Sequence, residues 1–217
     1  MMTDKNTNTP TSEAENPDQI CLLNCIELCA IIFRGINPEE CAALLDEGLP
    51  ALATLSSESL QSLSKPLKDL EDSCPDITET FCTDLESEYV RLFINSREGI
   101  VAPLYESCYE PGSGKVMGKP HLAMRKLLAE AGLEPTGEQA SEPMDHLCIE
   151  LEYLYVQLAN GWGGGDAEAL RTARAFADEK LIWVREFRDR ISSAETMEFY
   201  PAAAELLIAL LEEVTSV

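Results

Sequence analysis

The chain has 217 residues, 45% of them hydrophobic, with 39 acidic against 16 basic side chains and a net charge of -23. That length buries one sizeable core, so one domain is expected. The negative surface disfavours nucleic acid and anionic membranes, whose phosphates call for Lys and Arg, and it attracts a basic ligand; solubility alone would also account for it.

Residues 1–17 are rich in Thr, Asn, Pro and acid, have almost nothing to bury, and read as a disordered tail ahead of a helical domain over 18–217. Met1 to Asp18 holds one lysine and no apolar core, so no signal peptide is expected. The longest apolar run, Ile26 to Phe33, is broken by Glu27 and too short to cross a bilayer, which predicts no membrane insertion. The eight cysteines are then expected to stay reduced in a soluble cytoplasmic protein.

Asp18 to Phe33 is apolar on most faces, the mark of a buried helix. Asn37-Pro38-Glu39-Glu40 supplies a cap, a first-position proline and first-turn acid for a second helix that should stop near Gly48-Leu49-Pro50. A third is predicted over Ser57 to Asp72, disturbed at Pro66. Asp76 and Glu79 form a capping box for a fourth, through Phe81, Leu85, Tyr89, Leu92 and Phe93. A non-helical stretch with Pro103, Pro111, Gly112 and Gly114 leads to a helix from His121 to Ala131, ended by Gly132.

The linker 134–141 precedes Glu142-Pro143-Met144-Asp145-His146-Leu147, in which Pro143 is expected to open an amphipathic helix with Leu147, Leu151, Leu154, Tyr155 and Leu158 facing the core. Gly161 to Gly165 breaks the chain. Asp166 then caps a long helix through Phe176, Trp183 and Phe187, and a last helix runs from Thr196 or Phe199 to Glu213. No convincing alternating strand appears, so the expected fold is all-α, a single-domain bundle of about eight to ten helices.

With Pro143 in the first turn, Asp145 and His146 would project beside the mobile linker. Asp145, favoured there by the helix dipole, could take a bidentate arginine, and His146 could pair with Glu150 four residues on. Glu142 and Glu152 would complete an acidic cluster. From the residues alone, Asp145 reads equally as a plain helix cap and His146 as a half-buried surface histidine.

Three thiols, Cys21, Cys25 and Cys29, recur every fourth residue and raise the alternative of a metal or cofactor carrier. Structural zinc wants paired knuckles and four ligands, which makes them better read as core. Gly112-Ser113-Gly114-Lys115 lacks the rest of a phosphate loop. With two histidines, no nucleophile motif and no cofactor fingerprint, neither catalysis nor a bound cofactor is expected.

The segment Glu142-Pro143-Met144-Asp145-His146-Leu147 with Glu150-Leu151 resembles the E-P-x-D-H-L-x-x-E-L signature of the TorD/DmsD/NarJ-type chaperones. The resemblance extends to Tyr89-Val90-Arg91-Leu92-Phe93, the proline-led loop Pro103 to Ser107, and Phe176 through Phe199-Tyr200, covering roughly residues 80–215. Where that family often has a histidine before the late tryptophan this chain has Lys180, a departure expected to touch no binding residue.

The resemblance implies a TorD-like helical bundle and a cytoplasmic, non-enzymatic assembly chaperone. Its partner would be the twin-arginine leader or the apo catalytic subunit of a molybdopterin oxidoreductase, whose export it delays until the cofactor is inserted. The alternative within that class is a chaperone of a leaderless subunit. Asp145 and His146 are the first candidates for contact with the leader, then Glu142 and Glu150. Tyr105, expected to be exposed, and Tyr89 and Phe93 are candidate walls of an apolar groove, although Phe93 reads better as core. A monomer is expected, with the linker 134–141 offering a hinge for a domain-swapped dimer.

Overall fold

The computed structural model describes residues 16–58, 60–74, 76–97, 99–112, 115–135 and 141–216. Among them the chain is helical with no strand, as the periodicity predicts. The tail lies outside the described residues except for its last two: Asn16 accepts the Asp18 amide at 3.0 Å and Pro17 takes the first position of α1, Pro17–Arg34.

Asn37 caps α2, Pro38–Ala42, as expected, but the stop at Gly48-Leu49-Pro50 does not occur. The backbone widens into a π turn over Ala43–Gly48 and continues as α3, Leu49–Glu58. The wider turn changes the hydrogen-bond register just where Pro50 has no N–H to give. Helix α4 starts at Gln61, runs through Pro66 and ends at Asp72, burying Leu63, Leu67 and Leu70. The cap of α5, Glu79–Tyr89, is Thr78, whose hydroxyl accepts the Phe81 amide at 3.1 Å, so the box of Asp76 and Glu79 does not form. A second π turn, Val90–Ile94, carries Leu92 and Phe93 into the core.

Helix α6, Lys119–Glu130, ends just before Gly132 at φ 68°. Helix α7 spans Leu147–Gly163, so Pro143 lies outside it, in the irregular segment that delivers the chain to the helix. Of the stripe predicted for its buried face, Leu147, Leu151, Leu154 and Leu158 are buried while Tyr155 is 37% exposed. The glycine run does not break α7 at Gly161. A Cβ there would meet Leu170 of α8 at 2.4 Å, and the turn is left to Gly164 and Gly165. Asp166 caps α8, Ala167–Ser192, and α9 spans Phe199–Ser216. Residues 136–140 of the expected hinge lie outside the described residues, as do Ser113 and Gly114 of the glycine-lysine loop.

Helix α9 packs on α8, α4 and α1, and α1 lies between α9 and α7. Phe93 sits among Phe33, Phe187 and Tyr200 at ring separations of 6.0, 5.9 and 5.3 Å, and the Tyr200 hydroxyl donates to the Leu85 carbonyl at 2.9 Å. This aromatic knot joins α1, the second π turn, α8 and α9. It places Phe93 in the core and not on a groove wall.

Cys41 and Cys82 are bonded to each other, which corrects the expectation that all eight cysteines are free thiols. Packing of α2 against α5 brings together two sulfurs 41 residues apart in the chain.

Phe93→Ala is expected to cost about 3–5 kcal/mol of stability by removing the centre of the knot. Urea denaturation would measure it, and a loss below about 1 kcal/mol would remove Phe93 from the core.

Candidate functional site

The signature segment meets the loop after the second π turn as two extended strips. Tyr105 and His146 form one antiparallel bridge: the Leu147 amide donates to the Leu104 carbonyl at 2.8 Å and the Glu106 amide to the Asp145 carbonyl at 3.1 Å. Alternation across that bridge decides which side chains go in and which go out.

Asp145 goes in. It is fully buried, and its Oδ2 accepts both the Ser107 amide, at 2.8 Å, and the Ser107 hydroxyl. The same hydroxyl oxygen accepts the Gly118 amide at 2.9 Å, and a Cβ on Gly118 would stand 3.1 Å from it and 2.8 Å from the Glu110 carboxylate. Asp145 therefore pins the loop, the segment before α6 and the approach to α7 together. The expectation that it projects from a first helical turn does not hold, because α7 begins two residues later.

His146 is the cap of α7. Its Nδ1 accepts the Cys148 amide at 3.1 Å, which places the proton of the neutral ring on Nε2. Burial lowers its pKa, opposed by the Glu142 carboxylate. The Tyr105 ring stands edge-on to it at 5.0 Å, and the Tyr105 hydroxyl donates to Glu142 Oε2 at 2.8 Å. Tyr105 is half-buried, less open than its loop position predicted. Tyr89 closes the rim, donating to the Phe33 carbonyl at 3.2 Å and lying over Gly35, where a Cβ would stand 3.1 Å from its ring. Burial raises the pKa of both phenols, and Glu142 adds to the shift at each.

Glu150 does not pair with His146. It is buried, with its Oε1 3.1 Å from Lys180 Nζ, and Lys180 also donates to Glu106. Burial pushes the Glu150 pKa well up, only partly offset by Lys180. Burial by itself would lower Lys180, yet the two carboxylates raise it. Glu150 therefore holds a proton more readily than a free carboxyl. Lys180 is thus no neutral departure, since it fixes Glu150 inside. The expected acidic cluster is also dispersed, because Glu152 is ion-paired with Arg34.

Arg34, at the last turn of α1, is the member that sequence reasoning missed. Its charge acts on His146 and Cys148 from across the helix pair. Beyond its ion pair an open groove of about 310 Å³ runs between α1 and α7, lined by Ile26, Ala30, Ile31 and Tyr155. It shares Glu27 and Ile31 with a second apolar cavity of about 290 Å³ reaching Leu44, Leu52 and Leu55.

The cysteine stripe faces elsewhere. Cys21, Cys25 and Cys29 are fully buried. A hydrogen bond with Cys21 and burial hold the Cys25 thiol far above its usual range, and burial does the same at Cys29. Among the described residues no group of three or more His, Cys, Asp or Glu is placed to hold a metal. Their burial in an apolar core counts against the carrier that their spacing raised.

A family model described as the nitrate reductase delta subunit matches residues 49–189. The chaperone protein TorD of Vibrio cholerae serotype O1 strain ATCC 39541 is 27% identical over 194 residues, 86% of each chain. TorD of Escherichia coli O8 is 27% identical over 189 residues, 85% of this chain and 89% of its own. A crystal structure of a redox enzyme maturation protein from Archaeoglobus fulgidus superposes with a TM-score of 0.52 at 23% identity, covering 88% of this chain and 93% of that one, which shows a shared fold.

Asp145→Ala, which leaves two Ser107 donors unsatisfied, is expected to cost about 2–4 kcal/mol in urea denaturation, and Asp145→Asn about half of that; equal stability of all three proteins would refute the pin. For His146 the folded pKa lies below the ordinary 6.5, so the unfolded chain takes up the proton first. Its contribution is complete above that value and is lost as pH falls below it. His146→Asn keeps a capping oxygen without the charge. It should flatten the stability loss between about pH 7 and 5.5, and an unchanged slope would exclude His146 as its source.

Proposed function

The chain belongs to the nitrate reductase delta subunit family, and on that premise we propose that it is a cytoplasmic maturation chaperone of a molybdopterin-dependent oxidoreductase, occupying the twin-arginine leader or the apo catalytic subunit until the cofactor is in place. It is a binding protein and not an enzyme, in keeping with the chaperone name of its TorD relatives. Among the described residues no helix is long and apolar enough to cross a membrane.

The observation that carries this reading is the face formed by Tyr105, Glu142 and His146, where the Tyr105 ring stands edge-on to the imidazole and its hydroxyl reaches the Glu142 carboxylate, on a chain of net charge -23. A guanidinium fits there. Its plane stacks on the Tyr105 ring, its N–H groups replace the phenol at Glu142, and the field of the chain speeds its arrival. A second arginine finds Glu152, where it competes with Arg34.

The leader's apolar stretch lies in the α1–α7 groove, which begins at that ion pair, and in the adjoining cavity between α1 and α3, together following α1 back from Arg34 to Asn24, roughly 15 Å at 1.5 Å per residue. Asp145 and Glu150 act from beneath, holding the face in place, and Phe93 belongs to its foundation. Binding is reversible, so an affinity near micromolar, about -8 kcal/mol, suffices.

Titration calorimetry with a synthetic twin-arginine leader should give that affinity. Tyr105→Ala and Glu142→Gln should each weaken it at least about fivefold with the melting temperature unchanged. A leader that binds both variants as it binds the parent would sink the assignment of this face. Absence of any oxidoreductase catalytic subunit co-purifying from anaerobically grown cells would sink the function.

A further inference from the structure

Between Glu110 and Glu130 the chain has no acid and four cations, Lys115, Lys119, Arg125 and Lys126, although acids outnumber bases 39 to 16 overall. All four are exposed. Elsewhere the exposed cations are mostly consumed by neighbours, as in the pairs of Arg34 with Glu152, Lys68 with Asp72, Arg171 with Glu168 and Arg188 with Glu205. Among the described residues Lys119 and Arg125 have no ion pair, and Lys126 has only a solvent-exposed contact with Glu130 at 3.5 Å.

Helical spacing puts Lys119, Leu122 and Lys126 on one stripe of α6, with Arg125 beside it. The same stripe is greasy. Leu122 is 53% exposed, and just before the helix Val116 is 48% and Met117 60% exposed, Met117 being held at φ 63° where few side chains other than glycine sit. Three large apolar side chains left in water among cations that lack partners make a surface with two unmet needs.

We infer that this face of α6 docks an acidic segment of another protein that carries apolar side chains among its carboxylates. The choice of a short protein segment over a phosphate polymer or a lipid surface follows from range. Screening confines each contact to about 8 Å, so a compact acidic segment feels the local cations, whereas an extended anion also meets the negative remainder of the molecule. Flexible Met117 suits a partner whose apolar shape varies. A basic leader is repelled here, so the inference is independent of the leader site.

The full chain would be titrated with a short helical peptide bearing glutamate on one face and leucine on the other, and read by backbone amide shifts and by affinity. Shifts should centre on residues 115–126, and added salt should weaken binding. The triple variant Lys119→Glu/Arg125→Glu/Lys126→Glu should lose at least about tenfold in affinity, and Leu122→Ser about fivefold, with melting temperature and leader binding unchanged. Unaltered affinity in both variants, or shifts elsewhere on the molecule, would overturn the proposal. So would tighter binding of phosphatidylglycerol vesicles or a single-stranded oligonucleotide than of the peptide, or self-association abolished by the triple variant, each of which assigns the face to a different occupant.

Discussion

Burying the Asp145 carboxylate strips it of water, and the Ser107 amide and hydroxyl return only part of what is lost, since among the described residues Oδ1 has no hydrogen-bond partner. What the molecule obtains is position. The two segments that meet at this carboxylate are irregular, and irregular backbone has no ladder of its own to fix it. One bridge between Tyr105 and His146 and one carboxylate beneath it set the register of everything displayed above: the Tyr105 ring, the Glu142 oxygens and the imidazole.

Around that point the helices are arranged to leave little slack. The second π turn rolls Phe93 inward against α1, α8 and α9, while Tyr89, four residues earlier, remains at the rim of the face. Cys148 donates to the Ala30 carbonyl at 3.4 Å, tying the first turn of α7 to α1 beside the groove. The face proposed to hold a peptide is thereby built on a tightly packed floor.

The helices and most of their caps are legible in the sequence because they rest on local chemistry. Asn37, Asp166 and Gly132 act within a few residues of themselves, and periodicity reports burial faithfully for Leu63, Leu67 and Leu70. Pro50 and the glycine run mislead for the complementary reason. A π turn and the close approach of Leu170 are tertiary solutions that no local rule contains. The signature marks the segment that leads into α7, yet the direction of each side chain depends on where α7 starts. Two residues of difference turn Asp145 from a ligand donor into a buried pin. Arg34 could have been suspected only as a basic residue closing α1, and its encounter with Glu152, 118 positions away, has no trace in sequence spacing.

Lys180 stands between Glu106 and Glu150 with almost no access to water. Removing Lys180 leaves two acids facing each other in the core with no cation between them, and removing either acid takes away one of the lysine's two buried partners. Sequence drift at these positions is therefore coupled: a lineage that replaces the lysine by a neutral residue must also surrender an acid, or bring a cation from another helix, before the core tolerates it. The three sites behave as one inherited character spread over the 74 residues between Glu106 and Lys180.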